Sequence, residues 1–128
     1  MVVAAIVAIL TAVALPAYQA SVRKSRRADA VAAMQQVQLA EERWRANNST
    51  YNGSIGTAAN EISIGSASPT TADGYYTLAL SSVTASGYVV TATPTTKGGQ
   101  NRDIACAPMV LTFGAGSTSH APASCWSR

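Results

Sequence analysis

Few side chains in this sequence could do chemistry. Cys106 and Cys125 are the two cysteines, His120 is the one histidine, and Asp29, Glu41, Glu42, Glu61, Asp73 and Asp103 are the carboxylates. A nucleophile needs a base within reach, and His120 lies in a Gly, Ser and Thr-rich stretch with no Ser, Cys or carboxylate partner recognisable in sequence. It reads as a solvated loop histidine. The carboxylates form neither a calcium loop nor a paired acid and base, and Glu41 and Glu42 beside Arg43 and Arg45 read as helix-surface charge. Without a CxxC or a Cys/His cluster, neither a metal nor another cofactor is expected. An enzyme is therefore not the expected reading. The cysteine pair stays open at this point: a bridge would close a loop of about 19 residues and contribute roughly 3 kcal/mol, but two free thiols satisfy the same spacing.

Charge narrows the classes further. Lys and Arg number 9 against 6 acids, and the net +3 comes largely from one cluster, Arg23, Lys24, Arg26 and Arg27. A nucleic-acid-binding domain is expected to carry a wider basic footprint. Charged residues make up only 12% of the chain, against about 25% in ordinary soluble proteins. With abundant Ala, Ser, Thr and Gly, this composition suits an extracytoplasmic chain or a subunit packed against others. At 128 residues there is room for one small domain with a modest core, plus an appendage.

The appendage is the amino-terminal segment. Met1 to Leu15 carry no charge, and at 1.5 Å per residue they reach about 22 Å, short of the roughly 30 Å hydrocarbon core of a membrane. A secretory signal would begin with a basic stretch and end in a small-x-small site, and neither is present. The start at Met1 reads as the middle of a longer hydrophobic segment, with residues expected upstream. Residues 17 to 46 contain no Gly or Pro, and Ala30, Ala33, Met34, Val37, Ala40 and Trp44 recur at spacings of three and four. One helix over 1–46 is predicted, with a hydrophobic stem at 1–22 and an amphipathic half at 23–46. It would be about 69 Å long, so half of it must project beyond a small head. Pro16 removes one backbone hydrogen bond and should kink or loosen the rod. The opposite face of the second half, with Val31, Leu39 and Glu42, is not purely polar.

Asn47, Asn48 and Ser49 end the helical pattern. The remainder, 47–128, reads as a globular head. "YYTLAL", "YVVTAT" and "MVLTF" are short strand-like runs separated by Gly, Ser and Pro, giving an antiparallel sheet over about 75–113. Residues 47–74 read as a long surface connection, whose sequons at 47 and 52 are sufficiently explained as turns. The fold class is α+β, a long amino-terminal helix packed against a small antiparallel sheet.

The stretch "MVVAAIVAILTAVALPAYQASVRKSRRADAV", followed by an amphipathic helix and a carboxyl-terminal Cys pair, resembles the type IV pilins of the a class. Positions 14 to 19, Ala-Leu-Pro-Ala-Tyr-Gln, match the family pattern, and the terminal Cys-Trp resembles a minor-pilin subgroup. Family members open with Phe-Thr-Leu-Ile-Glu-Leu before residues like Met1, so their methylated first residue and their glutamate have no counterpart here.

The resemblance implies a structural filament subunit used in adhesion, twitching motility or DNA uptake. Val2, Val3, Ile6, Val7, Ile9, Leu10, Val13 and Leu15 would form the filament core, and Pro16 would be a site of bending or local melting. Met34, Val37 and Trp44 would pack the helix on the head, and the resemblance implies a Cys106–Cys125 disulfide bounding a region at 106–125. Expected partners are copies of the chain and other pilins, an inner-membrane assembly platform and a leader peptidase, with no obligatory nucleic acid but DNA reachable through the fibre. The expected location is the inner membrane and then the extracellular pilus of a Gram-negative bacterium. By the positive-inside rule Arg23 to Arg27 would hold the head in the cytoplasm, the reverse of a pilin; a basic leader could outweigh them. In a fibre Arg23, Lys24, Arg26 and Arg27 could instead pair with acids of neighbouring subunits. The alternatives are a pseudopilin of a type II secretion system, in which the last loops are more often stabilised by means other than a disulfide, including calcium, and a membrane-anchored periplasmic binding module.

Overall fold

A computed structural model describes residues 1–65 and 69–126. One helix, α1 (Val2–Arg45), runs through the whole apolar stem and the amphipathic half. Ala is its commonest residue, and its Leu, Gln, Arg and Glu lose little side-chain freedom in a helix, which offsets the stiffer Val and Ile of the stem. Pro16 lies inside α1, and the helix continues through it. The end is closed locally: the Ala46 N–H donates to Glu42 O, Asn48 Nδ2 to Trp44 O at 2.8 Å, and Arg45 Nη1 to Asn48 O at 2.7 Å. The first two bonds satisfy carbonyls of the last helical turn, and the third ties the chain just beyond it.

Four strands follow as an antiparallel meander in the order β1 (Tyr76–Ser81), β2 (Gly87–Pro94), β3 (Met109–Gly114) and β4 (Ser117–Ala121). Leu78 pairs with Ala92, and Val90 with Leu111. Alternate residues Tyr76 and Leu78, Tyr88, Val90 and Ala92, and Met109 and Leu111 are buried, as a sheet with one covered face requires. The cover is α1, through Ala30, Ala33, Met34 and Val37. Two alanines on that stripe let the backbone approach β1 and β2 closely, while Met34 fills the remaining space. At the helix end, Tyr51 meets Tyr88 edge-on with ring centroids 4.9 Å apart, and Tyr88 stacks on Phe113 at 5.4 Å. Gly87 is required where β2 meets β3, because a Cβ there would overlap the Phe113 carbonyl.

Four local readings from the sequence need correction. The sheet does not end at 113: β4, "STSHA", is an edge strand exposed along its whole length, so it carries no apolar alternation to betray it. His120 is accordingly on a strand, opposite Leu111, with its ring tilted against Trp126 at a centroid distance of 4.3 Å, so it is not a loop residue. The 47–74 connection is only partly a surface loop. Ile62 and Ile64 are in the core, Ile55 bridges Ile62, and Asn52 is buried with its side chain bonded to Asn60 O and the Ser54 N–H. Finally, Glu41 is not surface charge: it is 0% exposed, because it follows Val37 by four residues and precedes Trp44 by three on the buried face.

Candidate functional site

The first functional surface is the stem itself. Val2, Val3, Val7, Ile9, Leu10 and Val13 are exposed, from 56% for Val7 to 74% for Val2, and Ile6 and Leu15 are each 51% exposed. The helix is long and apolar enough to cross a membrane, and none of its most apolar 18-residue window is covered by the head. Monomeric proteins do not leave such a continuous apolar surface to water.

The second is the junction where the stem enters the head. Arg27 Nε and Nη2 donate to the two oxygens of Asp103 at 2.7 and 2.8 Å, a two-pronged pair in which Asp103 is 8% exposed. The bond to Asp103 pushes the Arg27 guanidinium above its ordinary range, against the opposing effect of burial. Gln100 Nε2 lies 2.8 Å from the Tyr76 hydroxyl and 3.2 Å from Arg23 O, tying a 3-10 segment (Lys97–Arg102) to the helix. Arg26 Nη1 donates to Gly98 O at 2.7 Å and its guanidinium lies over the Tyr75 ring. The Thr71 hydroxyl donates to Asp29 Oδ2. Of the four basic residues assigned to possible inter-subunit pairing, Arg26 and Arg27 are thus engaged inside their own chain. Sequence could not show this, since Gly98 and Asp103 lie more than 70 positions away. Arg23 and Lys24 make no side-chain bond among the described residues.

Two clefts flank the junction. One, about 590 Å³, runs between Lys24, Arg27, Val31 and Gln35 of the helix and Cys125 and Trp126. The other, about 370 Å³, lies between Tyr18, Val22, Arg23 and Arg26 and the loop carrying Gly98, Gly99 and Arg102.

Helix-to-head packing runs through Met34 and Val37, both 0% exposed, with Trp44 half-buried against the core. Cys106 and Cys125 form a disulfide, with Cα atoms 5.8 Å apart, that ties the segment after β4 to the turn before β3. Beyond Val37, Glu41 Oε2 accepts from the Asn52 N–H at 2.8 Å. Glu41 Oε1 and the Tyr88 hydroxyl are buried without a hydrogen-bond partner among the described residues. Burial raises the Glu41 pKa, against the Asn52 bond. Burial first, and the Glu41 charge second, push the Tyr88 hydroxyl far above its ordinary range. Among the described residues no group of His, Cys, Asp and Glu could hold a metal ion.

Comparison with curated proteins finds no match to this chain. A family model described as "Type IV minor pilin ComP, DNA uptake sequence receptor" matches residues 16–110, about three quarters of the chain, from Pro16 through the junction and into β3. An uncovered apolar stem, a four-stranded head packed on the helix's second half, a carboxyl-terminal disulfide and this match agree, and the chain belongs to the ComP family of type IV minor pilins.

Proposed function

We propose that this chain is a minor subunit of a type IV pilus that serves DNA uptake and receives double-stranded DNA on its head. Membership of a structural pilin family means assembly with other pilins in a pilus, and the stem supplies the surface for it. The observation that carries the DNA reading is the family match, whose description names a DNA uptake sequence receptor. It favours uptake over adhesion or twitching motility. Before assembly the stem anchors the chain in the inner membrane of a Gram-negative cell, where a leader peptidase and an assembly platform act on it.

The basic residues of α1 fall into two groups. One surrounds the junction; the other, Arg43 and Arg45, lies at the helix end remote from the stem. About twenty residues separate them, roughly 30 Å of helix. The remote end stays accessible when the stem is covered. There Arg43, Trp44, Asn47, Asn48, Glu61 and Ser63 line a cleft of about 470 Å³. Arg45 is held by Asn48 O and by Ala85 O at 3.3 Å, whereas Arg43 has no acceptor among the described residues. Arg43 is therefore the phosphate contact, with the two asparagines beside it as polar readers.

The test is binding of mixed-sequence duplex DNA to the full chain in maltoside micelles across a salt series. Affinity should fall with salt, and Arg43→Ala should reduce the log–log slope by about 1, the loss of one phosphate contact. Absence of salt-dependent binding sinks the DNA reading and leaves a purely structural subunit.

A further inference from the structure

We propose that the cleft between Arg23, Arg26 and Arg102 is a binding site for the phosphodiester headgroup of an anionic phospholipid, occupied while the stem lies in the membrane. The proposal rests on the reading that the stem is membrane-anchored before assembly.

Its first ground is position along the helix. Residues 2 to 22 form an uncharged length of a helix that is long and apolar enough to cross a membrane. Arg23 is the first charge beyond that length, and Tyr18 lies about one turn earlier, where interfacial aromatic residues gather. The cleft thus opens at headgroup depth.

The second ground is what the fold adds. The 3-10 segment is drawn onto this level by the Arg26–Gly98 and Gln100–Arg23 bonds, at 2.7 and 3.2 Å. Arg102 is thereby placed across the cleft from Arg23. Gly98 and Gly99 have φ values of +58° and +71°, and a Cβ on Gly98 would overlap the Arg26 guanidinium, so glycine is needed for the loop to close here.

The third is charge. Among the described residues three guanidinium groups line the cleft and no carboxylate does. Asp103, the nearest acid in sequence to Arg102, is already held by Arg27. Arg23 and Arg102 have no side-chain acceptor among the described residues, and planar, multiply donating guanidinium groups suit phosphate oxygens. The helix wall also carries Tyr18 and Val22, continuous with the apolar stem, along which acyl chains would lie. Neither a free phosphate nor a DNA backbone has acyl chains to lay along that wall. The arrangement also addresses the misplaced positive charge after the stem: lipid phosphates neutralise it on the outer side of the membrane.

The experiment uses the full, isotope-labelled chain in maltoside micelles, which contain no phosphate, followed by nuclear magnetic resonance. Dihexanoyl phosphatidylglycerol, dihexanoyl phosphatidylcholine, inorganic phosphate and a short DNA duplex are titrated separately. A water-soluble paramagnetic agent reports whether Val7 and Ile9 are shielded. Saturable shifts at the Gly98 and Gly99 amides and the Arg23 and Arg102 Nε–H groups are expected with phosphatidylglycerol, about tenfold tighter than with phosphatidylcholine or phosphate. Arg102→Ala, at an exposed position, should weaken this about fivefold with the rest of the head spectrum unchanged. A shielded stem with equal responses to the two lipids overturns the site alone. Phosphate binding as tightly as the lipid, or DNA shifting these groups more strongly, overturns the lipid assignment. An unshielded stem overturns the membrane reading on which the site rests.

Discussion

Arg27 and Asp103 meet through two parallel hydrogen bonds, 2.7 and 2.8 Å long, at the point where the stem joins the head. Asp103 also lies within 3.4 Å of Gln100 Nε2, so one carboxylate organises both the helix and the 3-10 loop. Asp103→Ala should leave the Arg27 guanidinium poorly paired, while Gln100 Nε2 loses only the longest of its three contacts. The expected cost is about 2 kcal/mol, between the values for exposed and fully buried pairs. Urea unfolding of the full chain in micelles measures it; a loss below about 0.5 kcal/mol would mean that solvent already screens the pair.

Breaking the Cys106–Cys125 bridge should destabilise the head by roughly 3 kcal/mol if chain entropy dominates. The paired Cys106→Ser/Cys125→Ser variant should also release Trp126 from His120, since Cys125 holds the segment that carries the indole. Thermal unfolding gives the first quantity, and loss of ring-current shifts at His120 gives the second.

Glu41 should impose a pH dependence on stability. Its carboxyl titrates near 4.5 in the unfolded chain, and burial raises its pKa in the fold, with Glu42 acting in the same direction and the Asn52 bond against it. The folded state therefore holds the proton more tightly. Its contribution to stability is complete below about pH 4.5 and is lost as pH rises through the raised folded value, then stays constant. Glu41→Gln, which keeps an acceptor for the Asn52 N–H, should abolish that slope and be more stable than the parent at neutral pH. Parallel stability–pH curves for the two proteins would refute it.

Gly98 and Gly99 separate backbone strain from steric exclusion. Both have positive φ, so alanine at either should cost roughly 1–2 kcal/mol. At Gly99 the nearest atom to a new Cβ is Arg102 Cδ at 3.9 Å, whereas at Gly98 the Cβ overlaps the Arg26 guanidinium. Gly98→Ala should therefore cost more than Gly99→Ala and also displace Arg26 from Tyr75, visible as a change at the Tyr75 ring. Equal costs and an unmoved ring would show that Arg26 rearranges freely.

Pro16 removes the bond that its missing N–H would have made to Ala12 O, while α1 continues on both sides. Pro16→Ala should slow amide hydrogen exchange in the surrounding turns and, in assembled pili, reduce extension under load. Unchanged exchange would remove Pro16 from any account of local melting.

Much of the architecture is legible without coordinates because it is periodic. The charge-free stem, the stripe from Ala30 to Val37 and the runs that become β1, β2 and β3 each repeat a local spacing that one face of a helix or strand demands. The family resemblance rests on the same region, and the comparison bears it out. β4 escapes this reading because both of its faces are exposed, so backbone pairing with β3 holds it and its side chains carry no signal. Glu41 is readable in principle, since its spacing from Val37 and Trp44 puts it on the buried face; its charge argues the other way, and the Asn52 bond only partly offsets the penalty of burying it.

The sequence by itself determined that this chain has an apolar rod needing cover and a small α+β head, because hydrophobic spacing and helix propensity act over a few neighbouring residues. Only the tertiary structure decided which charges are free. Arg27 and Arg26 are taken up by Asp103 and Gly98, while Arg23 is brought level with Arg102. Those pairings depend on the path of the loop between β2 and β3 over the helix. That path is set by many small packing and hydrogen-bond terms between distant segments, which no local pattern records.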